Sequence, residues 1–200
     1  FALQKPILNF VGWLTILFSK TYKIGDVVSI NNLNGRVYDI KVMYTNVSEL
    51  NSIGDPTGKS ISIPNEFVLT SPVSNFTKGR SYVWDEIVIY LTYQSNWKKA
   101  FKIAEKIVQD YYNKNLKKGV KEAFKGEFKF KDEIVTRFGI NEKGVVLKFR
   151  YLVDFDILNE TKGAMTKLLL EKLRGKDIIL GKIEDIKSEN YKFFSDDKSK

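Results

Sequence analysis

The first pattern in the chain is an almost unbroken apolar run, Pro6 to Phe18, followed at once by Lys20 and Lys23. As a helix this run is about 20 Å long at roughly 1.5 Å per residue. A bilayer core needs roughly 30 Å, or some twenty apolar residues, so the run by itself does not span a membrane. It has neither the basic start nor the small-residue cleavage site of a signal peptide. Asn9, Gly12, Thr15 and Ser19 recur at helical spacing as one small, polar stripe, and apolar side chains cover the rest. A small-residue stripe lets a helix approach protein closely while its broad apolar face meets lipid. The pattern is also that of a buried core helix. Pro6 predicts a helix boundary, with Phe1–Lys5 closing one helix and Pro6–Ser19 forming the next.

From Tyr22 the period shortens to two, the spacing of strands. "DVVSI" is a short run ended by the turn "NNLNG". "RVYDIKVMYTNVSEL" alternates along its length and predicts one long strand that bends. The cluster "NSIGDPTGK" is a turn, and "SISI" is a strand that stops at Pro64, which has no N–H for a ladder. "PNEFVL" reads as a turn or single helical turn, and "SPVSNF" as a last short strand. With the bent strand counted as two, about five short strands in some sixty residues predict a small barrel-like β domain.

Beyond residue 80, "EIVIYLTY" is a strand and "NWKKAFKIAEKIVQDYYNK" a helix with Asn96 as N-cap. Trp97, Ala100, Phe101, Ala104, Ile107, Val108 and Tyr111 form its apolar face. "NLKKGVKEAFKGEFKFK", with two glycines, reads as loop. "EIVTRFGI" and "GVVLKFRYLVDFDI" are strands joined at "NEKG". "ETKGAMTKLLLEKLRG" is a helix, and "DIILGKI" a final short strand. The order is βαββαβ. The fold class is therefore α+β, with residues 1–20 an interfacial helical segment, 21–80 a β domain, 81–186 an α/β domain and 187–200 a charged tail disordered by composition.

Composition removes much chemistry. There is no Cys and no His, which excludes disulfides and thiolate metal sites and removes the usual general base and commonest metal ligand. Gly-rich phosphate loops are absent. The carboxylate pairs Asp154/Asp156 and Asp196/Asp197 have no convergent partner and read as solvated. No enzymatic activity, metal or cofactor is expected. The net charge of +9 suits nucleic acid, an anionic membrane face or merely solvated lysine-rich surfaces. A βαββαβ domain on a basic chain also permits a soluble, ring-forming RNA-binding protein. However, in "KGVVLKFRYLV" Val and Leu stand where stacking aromatics are needed.

"ALQKPILNFVGW", "YKIGDVVSI", "NGRVYDI" and "GKSISIPNEFVLTSPVSNFT" together, in order and spacing over Ala2–Thr77, resemble the small-conductance mechanosensitive (MscS-type) channel family, and the βαββαβ order extends the likeness to about Gly175. Trp13 stands at a family glycine, Thr57-Gly58 at an Asp-Gly, and "ILGKIEDI" at the Pro-rich C-terminal strand. The resemblance implies an Sm-like β domain, a ferredoxin-like α/β domain and a homoheptamer in the inner membrane. Both domains would lie on the cytoplasmic side, and no nucleic acid would be bound. Membrane lipids, permeant ions and small osmolytes are the implied partners, and opening under tension in hypoosmotic stress the implied activity. Phe1 and Leu3 are then proximal to the gate at the end of a pore helix whose body precedes them. Lys5 and Pro6 form a hinge, and Phe10, Trp13, Leu14 and Leu17 face lipid. Asn9, Gly12, Pro64 and Asn65 couple helix to β domain. Asn9 and Asn65 either pair as amides across that junction or each cap their own backbone.

Overall fold

The computed structural model describes residues 3–124, 133–142, 144–175 and 177–181. Phe1, all of "GEFKFK", most of "ILGKIEDI", Asp196/Asp197 and the charged tail lie outside these residues. The described chain forms two compact units that divide between Ser81 and Tyr82.

The first unit opens with helix α1 (Gln4–Ser19) and continues through strands β1 (Val27–Ile30), β2 (Leu33–Ile40), β3 (Tyr44–Leu50) and β4 (Pro56–Pro64). The single-turn helix α2 (Phe67–Thr70) and strand β5 (Val73–Asn75) complete it. The strands make one antiparallel sheet in the order β4-β3-β2-β1-β5. Asn31 and Asn32, both at positive φ (49° and 62°), turn β1 into β2, which is the conformation a two-residue hairpin needs and Asn tolerates. Val28, Ile30, Val37, Val47 and Ile63 from four strands meet Ile16 of α1 and Tyr22 in the core. Burial of Ile16 to 2 % exposure is worth about 2–3 kcal/mol and fixes the helix on the sheet.

Two expectations need correction here. α1 begins at Gln4, so Pro6 lies inside its first turn rather than at a boundary. There the missing N–H is one the helix leaves unpaired anyway. The long bent strand of residues 36–50 is a hairpin, with β2 and β3 paired antiparallel around Lys41–Met43.

The second unit contains strand β6 (Tyr82–Leu91), helices α3 (Trp97–Asn115) and α4 (Lys117–Ala123), strands β7 (Ile134–Asn141) and β8 (Gly144–Asp154), a 3-10 turn (Phe155–Ile157) and helix α5 (Leu158–Lys172). Its sheet is antiparallel in the order β6-β8-β7. Asn96 caps α3 by accepting from the Lys99 N–H at 3.2 Å. α3 buries Ala100, Ala104, Val108 and Tyr112, the last in place of the expected Tyr111. The segment read as loop after Asn115 holds α4. Gly119 obscured that helix, and a Cβ there would lie 2.5 Å from the Tyr82 hydroxyl, so that side chain would have to shift. Of the expected last strand, the described part makes two antiparallel bridges, Leu180 to Leu91 and Ile178 to Gly175, with the Gly181 N–H donating to the Tyr90 carbonyl at 2.8 Å.

Asp85 of β6 is buried and accepts from Lys162 of α5 and from the Tyr151 hydroxyl of β8, each at 2.8 Å. Burial first, and then the Asp85 charge, push the Tyr151 phenol well above its usual range, so it serves as a neutral donor. This triad fixes the rotation of α5 over the sheet. Asp154, read in the sequence as solvated, accepts from the Asp156 N–H at 3.0 Å in an exposed bond and so starts the 3-10 turn.

Candidate functional site

The residues singled out in the sequence converge where α1 lies on the turn between β4 and α2. Asn9 is 8 % exposed. Its side-chain amide donates to the Lys5 carbonyl at 3.0 Å, which leaves Oδ1 to accept the Glu66 N–H at 3.0 Å. That N–H opens α2 and would otherwise be an orphan donor. Gly12, one turn on, rests directly on the Asn65 peptide, and a Cβ at Gly12 would stand 2.2 Å from the Asn65 carbonyl oxygen. The helix therefore approaches at a distance only glycine permits. At the upper end of the seam Lys5 Nζ meets Glu66 Oε1 at 2.9 Å. The Lys5 side chain is 79 % exposed, so this ion pair contributes at most about 1 kcal/mol.

Asn65 is 1 % exposed and holds the turn beneath. Its Nδ2 donates to the carbonyls of Lys41 and Val42 at 2.8 and 3.0 Å. Its backbone N–H donates to the Met43 carbonyl at 3.1 Å. With both amide protons committed, Oδ1 accepts from the Thr45 hydroxyl at 2.8 Å. Thr45 has then used its proton, so the Tyr22 hydroxyl, 2.9 Å away, must be the donor to Thr45. Asn65 thus closes the β2–β3 hairpin on one side and carries α1 on the other. Pro64 ends β4 immediately before it, paired with Tyr44.

Asn9 and Asn65 do not pair as amides. Asn9 reaches the next residue's backbone, Asn65 reaches the hairpin, and what joins them is the Glu66 peptide and the Gly12 contact. The stripe is corrected in one place as well. Asn9, Gly12 and Ile16 are the buried positions of α1, Thr15 is half-buried and Ser19 exposed. The Thr15 hydroxyl bonds back to the Val11 carbonyl at 2.9 Å, and Ser19 bonds back to Thr15 at 2.6 Å. Of the residues assigned to lipid, Phe10 and Leu17 are exposed, while Trp13 and Leu14 are half-buried. Leu3, Ile7, Val11 and Phe18 complete the exposed apolar arc, with Phe18 at 83 %. Among the described residues no helix is long and apolar enough to cross a membrane.

A second network, missed in the sequence, fixes the chain where it leaves α1. Asp26, 4 % exposed, accepts from the Asn75 amide at 2.7 Å and the Lys23 N–H at 3.1 Å. Asn75 also donates to the Thr21 carbonyl, and Thr77 accepts from the Val27 N–H. The signal was present in "YKIGDVV" and "SNFT", but nothing local says that residues 26 and 75 meet.

Burial pushes the Tyr22 phenol up to about 12 from its ordinary 10. The folded state favours the neutral form, so the stability this contributes is complete below pH 10. It is lost as pH rises through 12, by about 2–3 kcal/mol. Urea titrations read through Trp13 fluorescence should show that loss for the first unit, and Tyr22→Phe should lack it. Equal pH slopes in the two proteins would refute the assignment.

Residues 5–78 match the family described as mechanosensitive ion channel, beta-domain. An uncharacterised MscS family protein of Archaeoglobus fulgidus is 29% identical over 111 residues, 56% of this chain and 37% of that protein. The miniconductance mechanosensitive channel MscM of Escherichia coli is 35% identical over 81 residues, 40% of this chain and 7% of its own length. The chain thus spans little more than a third of the first of these relatives. Helicobacter pylori MscS in a closed state has the same fold over 93% of this chain and 66% of its own, with a TM-score of 0.66 at 18% identity. Arabidopsis thaliana MSL1 covers 91% with a TM-score of 0.61 at 15% identity. The buried Asn9–Gly12 seam, the Asn65 turn and the Asp26–Asn75 entry all lie within residues 5–78, the stretch that matches the mechanosensitive ion channel beta-domain, and over most of its length the chain is similar in fold to MscS.

Proposed function

We propose that this chain is the pore-proximal and cytoplasmic part of a homoheptameric channel of the inner membrane. Membrane tension opens that channel, and ions and small osmolytes leave through it during hypoosmotic stress. The observation that carries this reading is the division of α1. One face is bonded into the β domain at Asn9, Gly12 and Ile16, and the opposite arc of Leu3, Ile7, Phe10, Val11, Leu17 and Phe18 is apolar and exposed. A helix so divided can lie at a membrane interface and remain fixed to a protein below it. The open state occupies more membrane area, so tension shifts a two-state equilibrium towards it. In this reading Leu3 and Phe1 adjoin the gate and Lys5 and Pro6 form the hinge above the seam. Phe10, Trp13, Leu14 and Leu17 meet lipid. The β4-β3-β2-β1-β5 sheet is taken as Sm-like. The β6-β8-β7 sheet with Leu180 bridged to its β6 edge is taken as ferredoxin-like.

The seam is the coupling element, because a helix that moves with tension must carry or break the Asn9–Glu66 bond. Asn9→Ala leaves the Glu66 N–H without its acceptor, worth about 1–3 kcal/mol per subunit. Pressure-clamp recording of the channel carrying this sequence should show tension-evoked currents. In Asn9→Ala the open-to-closed or open-to-inactivated ratio at fixed tension should change at least about fivefold. Absence of tension-evoked current sinks the channel reading, and wild-type gating in Asn9→Ala sinks the coupling role.

A further inference from the structure

Beside the seam, α1 and the β domain leave an open cleft of about 750 Å³, within the size range of sites for small amphiphilic ligands, roughly 300–1,000 Å³. Its floor is Ile16 and Tyr22, both buried. Its walls are Trp13, Leu17, Ile24 and Ile40, with Lys20, Lys23 and Lys78 at the rim. The three lysine side chains are exposed and make no ion pair or hydrogen bond among the described residues. The single carboxylate lining the cleft, Asp26, is turned inward and taken by the Asn75 amide and the Lys23 N–H. The cleft therefore pairs an apolar trough with a rim of net positive charge, three lysines against one inward-turned carboxylate. Ile24 and Leu17 remain 59 % and 49 % exposed on its wall, and Leu17 also belongs to the exposed apolar arc of α1, so the trough is continuous with the face that meets lipid.

We infer that this cleft binds one anionic phospholipid, its phosphate held by Lys20, Lys23 and Lys78 and an acyl chain laid along Trp13, Leu17, Ile24 and Ile40. A zwitterionic lipid carries a cation that the rim would repel. A free phosphate would leave the apolar walls uncovered. The site goes beyond lipid contact by the exposed arc, and it rests on the reading of α1 as an interfacial helix. A lipid seated there bridges α1 and the β domain beside the Asn9–Glu66 bond, so its headgroup charge would set how firmly the seam is held.

The test uses the whole chain labelled with 5-fluorotryptophan, whose Trp13 resonance reports the cleft while Trp84 and Trp97 serve as internal references. Short-chain dihexanoyl phosphatidylglycerol, kept below its micelle concentration, removes any contribution from a membrane surface. The expected result is a saturable shift of Trp13 alone, absent with dihexanoyl phosphatidylcholine and with glycerol phosphate. Lys20→Gln/Lys23→Gln/Lys78→Gln should weaken it about 100-fold, taking roughly 1 kcal/mol per lysine. Lys98→Gln/Lys102→Gln/Lys106→Gln removes the same charge from α3 and should leave it unchanged. Equal shifts with both lipids, an equal shift with glycerol phosphate, or equal loss in the two triple variants each overturn the proposal. So does a Trp13 signal that depends on protein concentration without lipid, which would mean that a second copy fills the cleft. Flotation of the same chain on phosphatidylcholine vesicles tests the interfacial reading separately. A chain that floats but shows no phosphatidylglycerol-specific Trp13 shift refutes the cleft alone.

Discussion

Asn65→Ala should destabilise the first unit by about 3–5 kcal/mol, a large part of the roughly 5–15 kcal/mol that holds a domain together. The substitution removes no apolar packing of consequence. What it removes is the partner of three groups at once: the part-buried Lys41 and Val42 carbonyls and the buried Thr45 hydroxyl. Each buried group left unpaired costs about 1–3 kcal/mol, and Thr45 recovers part of its loss through Tyr22. Asn65→Asp separates geometry from volume. It keeps an acceptor for Thr45 but turns a carboxylate towards two carbonyl oxygens, so it should be at least as damaging as Ala. Urea unfolding followed at Trp13 gives the free energies. A cost below about 1 kcal/mol for Asn65→Ala would mean that water replaces the side chain and that Asn65 does not hold the hairpin.

The same residue shows why part of this fold was hidden in the sequence. Residues 36–50 alternate without a break, and Lys41-Val42-Met43 contains no Gly, Pro, Asn or Asp to announce a turn. The chain reverses there because the turn's carbonyls find donors on Asn65, more than twenty residues away. A local reading cannot see a turn stabilised from a distance. Of the expected turn "NNLNG", Asn31-Asn32 was legible because its own residues tolerate the positive φ the turn requires, while Leu33-Asn34-Gly35 already pair with β1 as the start of β2. On α1 the small, polar stripe located Asn9 and Gly12 correctly, since a buried amide and a missing Cβ both need protein opposite them. It failed at Ile16 because an apolar side chain in an apolar run carries no mark of whether core or lipid lies beyond it. Glu66 was missed for a different reason. Its functional atom in the seam is a backbone N–H, which any residue at that position supplies.

Gly12→Ala is the second decisive substitution, and its sign is opposite to the one helix propensity gives. In an isolated helix the change should stabilise by about 1 kcal/mol. Here the new methyl would stand 2.2 Å from the Asn65 oxygen and 2.6 Å from its carbonyl carbon, against the roughly 3.5–4.0 Å at which non-bonded carbon atoms rest. Asn65 cannot retreat, because its side chain is pinned to the hairpin by three hydrogen bonds. The helix must therefore lift by about 1 Å or more. Lifting stretches the Asn9–Glu66 contact from 3.0 Å beyond hydrogen-bond range and draws Ile16 out of the core. The lost bond and the overpacking each cost about 1–3 kcal/mol, so the net change should be a loss of about 2–4 kcal/mol in the first unit. Val11→Ala on the exposed arc of the same helix should stay within about 0.5 kcal/mol of wild type. Asn9→Ala combined with Gly12→Ala should cost little more than Gly12→Ala alone, because the first substitution removes a bond the second has already broken. Additive losses, or a rise in the unfolding midpoint for Gly12→Ala, would show that α1 is not seated on the Asn65 peptide, and the coupling proposed through that seam would go with it.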